Sequence, residues 1–135
     1  METAGPKTLT QQPTTVGTSV VALKYKDGVV LAYNNALSQY GMHLFDKVQR
    51  HFVVDDSIVF SASGEFSDYQ EICMKVDKLN RTSRINSDKH LYKPGDYAKF
   101  ISSLCYEQRN KADPLYIEGV LAGVSKKGES FLGYI

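Results

Sequence analysis

Four positions of this chain carry groups that could take part in nucleophilic catalysis. Thr18 opens the first apolar run, Asn34 lies just after the second, Arg50 lies in the third, and Gly64 ends the fourth. A threonine hydroxyl is a poor nucleophile unless a base takes its proton. Arginine keeps its proton at any relevant pH, and an asparagine amide carries no charge that could hold a cation. Neither Arg50 nor Asn34 could therefore act as such a base, and we favour an ordinary β-branched strand residue as the interpretation of Thr18.

No pattern in the sequence predicts a metal or cofactor site. Glycine-rich phosphate loops, zinc-protease strings and hydrolase nucleophile elbows do not occur. Cys73 and Cys105 each fall on the apolar stripe of a predicted helix, which favours core packing over redox or metal chemistry. His43, His51 and His90 have no ligand spacing and are interpreted as ordinary half-exposed residues.

Composition narrows the class of protein. The chain has 135 residues, which is about one domain, and its 42% hydrophobic and 23% charged residues are typical of globular proteins. Sixteen Lys and Arg against fifteen Asp and Glu give a net charge of +1, so no electrostatic footprint for nucleic acid or an anionic membrane is expected. No apolar run reaches the ~18 residues of a transmembrane helix, and the polar start lacks a signal-peptide core. We therefore expect a soluble intracellular domain with a loose N-terminal arm.

Hydrophobic periodicity predicts three pairs of strands. In the first pair, Asp27-Gly28 separates two apolar runs and predicts a turn with positive φ at Gly28. The unbroken apolarity of the second strand predicts that both of its faces are covered. The strand pairs are expected at residues 17–25 and 29–33, at residues 48–54 and 57–63, and at residues 116–124 and 130–135, with residues 34–46 as a long connection.

Two helices are predicted between the second and third strand pairs. Apolar residues recur there at steps of three and four, which indicates a helix over about residues 67–81. Pro94 suits the first turn of a second helix, which continues to the polar stretch at residues 107–111. Strand pairs followed by a helix pair and a further strand pair indicate an α+β fold with mostly antiparallel sheet.

Several strings spread over residues 10–135 resemble the proteasome β-subunit family. Residues 17–32, GTSVVALKYKDGVVLA, look like the opening hairpin of that family. The string SASG at residues 61–64, followed by Asp68, is similar to its strand-to-helix junction. The strings that fit the non-catalytic β7-type members are TQQP at residues 10–13, SQYG at residues 38–41, NKADPL at residues 110–115 and SFLGY at residues 130–134.

The resemblance implies an N-terminal-nucleophile hydrolase fold and a degenerate active site. This fold is an αββα sandwich of antiparallel sheets, of which the chain would hold the first half to two thirds. In active members a free N-terminal threonine attacks the peptide carbonyl, a lysine and an aspartate tune it, and a glycine N–H stabilises the oxyanion. The matching positions here are Thr18, Arg50, Asn34 and Gly64. The resemblance therefore implies a non-catalytic subunit without a cofactor or metal.

The same resemblance implies a role and a set of partners. It implies a structural and assembly role in the 20S proteasome core particle, and so in ATP- and ubiquitin-dependent protein degradation in the cytoplasm and nucleus. The implied partners are neighbouring β subunits, α-ring subunits and the opposite β ring, with no nucleic acid and no membrane. Two alternatives stay open: an active threonine endopeptidase that uses Thr18, and a free-standing interaction domain.

The ends of the chain carry two further expectations. Residues 1–9 are expected to be a short propeptide arm, and the resemblance implies that an active neighbour removes it at the bond between Leu9 and Thr10. A frayed terminus that is never cut is the alternative. Residues 10–135 are expected to form a β-subunit domain that is incomplete at its C-terminal end.

Overall fold

The computed structural model describes residues 15–86 and 92–135. Those residues form nine strands and two helices. The strands are β1 (Thr15–Gly17), β2 (Val20–Tyr25), β3 (Gly28–Tyr33), β4 (Leu37–Gln39), β5 (Met42–Phe45), β6 (His51–Asp55), β7 (Ile58–Glu65), β8 (Ile117–Val124) and β9 (Ser130–Tyr134), and the helices are α1 (Phe66–Ile85) and α2 (Pro94–Asn110).

A five-stranded antiparallel sheet lies at the centre of the described residues, with β7 as its pivot. One edge of β7 pairs with β8, which in turn pairs with β9. The other edge is shared, because β6 pairs with the first half of β7 and β1 pairs with its last two residues. The expected α+β class with antiparallel pairing is confirmed. Neither helix among the described residues is both long and apolar enough to cross a membrane.

The two helices cover one face of the central sheet. Helix α1 packs on β7 and β6, and α2 packs on β8 and β9. The stripes predicted from the 3.6-residue period do face the sheet, since the buried core of this layer includes Tyr69, Ile72, Val76, Tyr97 and Ile101. Burial of such side chains contributes roughly 1.5–3 kcal/mol each. Helix α1 runs four residues further than expected, to Ile85.

The β2–β3 hairpin covers the opposite face of the central sheet. Its two strands contact β8 and β9, so helices, central sheet and hairpin form three successive layers. The outward side of the hairpin is open: Val21 is 65% exposed, Leu23 62% and Val30 53%. The prediction that β3 is covered on both faces is therefore wrong for the part of the chain that the structure describes.

The first predicted strand is divided in two. Thr15–Gly17 pairs with β7 in the central sheet, whereas Val20–Tyr25 pairs with β3 in the hairpin layer. The chain changes sheets at Thr18 and Ser19, which belong to neither strand. Thr18 therefore lies at the crossing point between two sheet layers.

The predicted connection at residues 34–46 contains a hairpin. Strands β4 and β5 pair through a tight turn in which Tyr40 has φ 50° and Gly41 has φ 77°. Positive φ at both central positions suits a two-residue hairpin turn. Because Asn, Ser and Gln are mixed with apolar residues around the turn, hydrophobic periodicity does not predict these short strands.

The turn between β2 and β3 is placed correctly, but its expected conformation is wrong. Gly28 is the first residue of β3, pairs with Tyr25, and does not have a φ in the left-handed region. A Cβ there would lie 2.7 Å from the Tyr25 hydroxyl oxygen, so a larger residue at this position would displace the exposed Tyr25 side chain.

Candidate functional site around Arg50

Arg50 is a buried cation held by backbone carbonyls. Its side chain is 1% exposed, and it lies directly before β6. One Nη donates to the carbonyl of Asn34 at 2.9 Å, and the other donates to the carbonyls of Thr18 at 2.6 Å and Ala62 at 2.7 Å. No ion pair among the described residues involves this guanidinium. Arg50 therefore ties together the start of the hairpin layer, the end of β3 and the middle of β7.

The charge of Arg50 persists despite its burial. Loss of solvation is the main effect and lowers the pKa of Arg50 from its ordinary value of 12.5, because the charged form is disfavoured away from water. Arginine nevertheless remains protonated in proteins. The group at this position can therefore donate hydrogen bonds but cannot take a proton from a hydroxyl.

Asn34 contributes its backbone to the cluster and not its side chain. The carbonyl of Asn34 accepts from Arg50, while its Oδ1 accepts from the backbone N–H of Ala36 at 2.9 Å. This local turn directs the amide to its own loop. The sequence alone identifies Asn34 as a candidate site residue but does not show whether its side chain or its backbone forms the contact.

Gly64 has a conformation that only glycine adopts readily. Its φ is +106°, and a Cβ would collide with the carbonyl oxygen of Tyr116. The backbone there is paired on both sides, with Gly17 of β1 and Ile117 of β8. The next residue, Glu65, donates its N–H to the same Tyr116 carbonyl at 2.8 Å. The strand-to-helix junction is thus fixed by both neighbouring strands.

Thr18 lies at the rim of an open cleft of about 840 Å³. The residue is exposed, and its carbonyl is the group that Arg50 holds. The cleft is lined by Gly17, Thr18, Ser19, Val20, Ser63, Gly64 and the stretch from Leu115 to Glu118. The four positions named from the sequence therefore meet in space: Arg50 bonds Thr18 and Asn34 directly, and Gly64 pairs with the residue before Thr18.

Two supporting contacts were not predicted from the sequence. The hydroxyl of Ser61 is fully buried and donates to the carbonyl of Arg50 at 2.5 Å, which fixes the backbone that carries the guanidinium. Tyr33 and His51 approach to 2.5 Å between the Tyr33 hydroxyl and His51 Nδ1. In the sequence, Ser61 stands out only as the first residue of the SASG string at the strand-to-helix junction.

The cysteines pack as the sequence predicts. Both are half-buried against the helix-side core. Burial raises the pKa of the Cys73 thiol to about 11, and burial also raises the pKa of Cys105. His43 approaches Asp46 at 2.6 Å on the surface, and His90 lies outside the described residues. No group of three or more potential metal ligands occurs within residues 15–86 and 92–135.

Two expectations fall on residues that the structure does not describe. The arm at residues 1–9 and the expected cleavage site between Leu9 and Thr10 lie outside the described ranges. They stay predictions.

Comparison with known proteins assigns the class of protein that this fold and site define. A family profile described as Proteasome subunit matches residues 14–135. The chain therefore belongs to the proteasome subunit family, and the resemblance to β subunits stated from the strings above is confirmed.

Individual relatives are β-type subunits. The chain is 37% identical over 127 residues to a proteasome subunit beta type-4 of Arabidopsis thaliana, covering 93% of this chain and 51% of the relative. It is 35% identical over 133 residues to a probable proteasome subunit beta type-7 of Schizosaccharomyces pombe, covering 98% and 50%. It is 32% identical over 132 residues to a beta type-4 subunit of Xenopus laevis, covering 98% and 54%. The chain thus spans about half the length of these relatives.

Proposed function

We propose that this chain acts as a non-catalytic β subunit of the 20S proteasome core particle. Its role there is structural, in the assembly of the particle that carries out ATP- and ubiquitin-dependent protein degradation. The proposal carries with it the expected partners, namely neighbouring β subunits, the α ring and the opposite β ring, and the expected location in cytoplasm and nucleus. Family membership and the β-type relatives support this assignment.

The hydrogen bonds of the Arg50 side chain are the main support for a non-catalytic role. All three of its hydrogen bonds go to backbone carbonyls, and one of them fixes the carbonyl of Thr18 itself. A permanent cation that already holds the main chain supplies no proton acceptor to a threonine hydroxyl. Asn34 offers no compensating charge, because its side-chain amide is neutral, and its amide oxygen already accepts a hydrogen bond from the N–H of Ala36.

A second argument concerns the chain before Thr18. Release of an α-amino group on Thr18 needs cleavage after Gly17, and self-cleavage needs the same activated hydroxyl. We therefore propose that the segment before Thr18 is retained up to Thr10, and that only residues 1–9 are removed, by an active neighbour.

The test uses the assembled particle purified through this subunit. Thr18→Ala is expected to leave every peptidase activity of the particle unchanged, and the intact mass of the subunit is expected to correspond to a chain that begins at Thr10. An epoxyketone inhibitor covalently bonded to Thr18, or a mature chain that begins at Thr18, would establish the active endopeptidase instead. Purification of the chain without any ring subunit would favour the free-standing interaction domain.

A further inference from the structure

The tip of the β4–β5 hairpin carries exposed apolar side chains. Tyr40 in the turn is 90% exposed, and Met42, two residues later, is 63% exposed. All four residues of β5 are exposed. Because successive side chains of a strand point to opposite faces, neither face of β5 is buried against the part of the chain that the structure describes. Large apolar side chains that are grouped on an exposed element are typical of a surface that binds another protein.

The base of the hairpin is anchored to the rest of the fold. Leu37 at the start of β4 is buried, and β4 contacts β1. Just outside the strand pair, the N–H of Val48 donates to the carbonyl of Asn35 at 2.8 Å. The tip therefore stands on a fixed base, and little conformational freedom is lost when a partner covers it.

The backbone at Tyr40 has a conformation that a tyrosine does not readily adopt. Tyr40 has φ 50°, in the left-handed region, and Gly41 after it has φ 77°. A two-residue hairpin turn of this kind favours Asn, Asp or Gly at its first position, because a bulky side chain is unfavourable there. Since Tyr40 is almost fully exposed, packing within the described residues does not account for the aromatic ring. Strain of this kind is typical of functional positions.

The tip carries no charge that a partner would have to neutralise. Residues 38–42 have the sequence SQYGM. The ionisable groups of the hairpin nearest to them, His43 and Asp46, lie 2.6 Å apart and interact with each other. Burial of an unpaired charge is costly, whereas burial of tyrosine and methionine is favourable, and both residue types are enriched in protein interfaces. The chemistry of the tip therefore fits an uncharged, apolar pocket.

We propose that the tip of the β4–β5 hairpin is a docking element, and that Tyr40 and Met42 insert into an apolar pocket of an adjacent subunit of the particle. This inference rests on the proposed function and names a surface through which the chain joins a neighbour. It also gives a role to the string SQYG at residues 38–41, which lies outside the Arg50 site. The tyrosine ring supplies a large contact area with few rotatable bonds, and its hydroxyl can bind a polar group at the rim of the pocket.

The first experiment is a competition for incorporation. A tagged variant and the wild-type subunit are expressed together, and their ratio in purified particles is measured by mass spectrometry. Tyr40→Asn is the decisive variant, because asparagine suits the first position of this turn but lacks the ring. If Tyr40 served only the turn, this variant would incorporate at least as well as the wild-type chain.

The expected result is at least tenfold lower incorporation for Tyr40→Asn. Tyr40→Phe is the matched control, since it keeps the aromatic ring in the same backbone, and it should incorporate within about twofold of the wild-type chain. Met42→Ser should also incorporate less well than the wild-type chain. Equal incorporation of Tyr40→Asn and the wild-type chain would overturn the proposal.

Photo-cross-linking tests the contact directly, even where a substitution impairs folding. The photoreactive residue p-benzoylphenylalanine, which keeps an aromatic ring, replaces Tyr40 in the assembled particle. Mass spectrometry of the digested particle then locates the cross-linked partner. We expect a link to apolar residues of one other subunit. A link confined to this chain, or no link at all, would overturn the proposal.

The outcomes distinguish a failure of this inference from a failure of the proposed function. If the wild-type chain enters the particle but position 40 forms no link to another subunit, only the docking inference is wrong. If the wild-type chain purifies without any other proteasome subunit, the proposed function is wrong, and the docking inference is overturned with it.

Discussion

Removal of the Arg50 side chain gives the sharpest test of the site. Arg50→Ala takes the donor from the carbonyls of Thr18, Asn34 and Ala62. The Ala62 hydrogen bond is buried, and an unsatisfied buried carbonyl costs ~1–3 kcal/mol. The other two bonds are partly buried, so water can replace the donor and each loss costs about 0.5–1 kcal/mol.

Two further effects of this substitution oppose each other. The lost packing of a fully buried side chain destabilises the fold, while removal of a buried cation recovers a desolvation cost of several kcal/mol. Taking these as roughly equal, we expect local opening around Thr18 to become easier by ~3 kcal/mol, which corresponds to roughly 150-fold faster exchange.

Hydrogen-exchange mass spectrometry on the assembled particle measures this change. The affected peptides should cover β1, the start of β2 and residues 61–65. Arg81→Ala is the matched control, because Arg81 is exposed and its ion pair with Asp77 is worth ~0–1 kcal/mol. Arg50→Lys should fall between the two, since an ammonium group cannot span three carbonyls arranged around a planar fork.

Amide exchange in those segments of Arg50→Ala within threefold of the wild-type rate would show that Arg50 does not stabilise the crossing point. The yield of incorporation relative to Arg81→Ala is a second measurement, and a low yield of Arg50→Ala would also support a structural role of Arg50. Incorporation equal to that of the control, with unchanged exchange, would mean that the buried guanidinium contributes no net stability to the crossing point.

Three other experiments probe the surrounding structure. Gly64→Ala should lower the thermal unfolding temperature of the particle-bound subunit clearly more than Gly128→Ala does. Both glycines have a positive φ, but only at Gly64 would a Cβ collide with the backbone of another strand. Equal effects of the two substitutions would contradict this explanation. Gly28→Val should reduce incorporation and Tyr25→Ala should partly restore it, since the obstacle is the Tyr25 ring; no rescue would refute the steric explanation. At pH 8, alkylation of Cys73 should be about 100-fold slower than alkylation of a free thiol with the ordinary pKa of 9.0, because a pKa of about 11 leaves that much less thiolate. The alkylation rate should rise with pH. A rate like that of a free thiol would contradict the burial of Cys73.

The open side of the β2–β3 hairpin also predicts how residues 1–135 behave when expressed alone. Val21, Leu23 and Val30 form an apolar surface on neighbouring strands, and such surfaces favour self-association. We expect oligomers or insoluble protein by light scattering, and fewer oligomers for Leu23→Lys. A monodisperse monomer with a cooperative melting transition would contradict this expectation.

The helices and the strands with long apolar runs could be predicted from the sequence because their signals are local. The period of 3.6 residues over residues 66–79 and Pro94 at a helix start need no knowledge of the rest of the chain. The β4–β5 hairpin was not predicted, because its strands have only three and four residues and every residue of β5 is exposed. Its turn at Tyr40 and Gly41 is visible only in the backbone angles.

The break between β1 and β2 could not be predicted, because it depends on which sheet each half joins. Residues 17–25 read as one run rich in β-branched and apolar residues, and no proline or turn dipeptide interrupts it. The partner of β1 is the end of β7, about fifty residues along the chain, while the partner of β2 is the next strand. Only that long-range pairing leaves Thr18 between the two sheets.

In the candidate site, too, the sequence indicates which residues take part but not which of their atoms form the contacts. The sequence singled out Thr18, Asn34 and Arg50, which do lie together in space, and the chemistry of arginine alone argues against proton transfer by Arg50. It could not show that Arg50 would bind the main chain of the other two residues and leave their side chains aside. A guanidinium has five donors in a fixed plane, so three carbonyls from separate segments of the chain satisfy it better than one amide oxygen could. The side chain of Arg50 is therefore a structural tie between the two sheets.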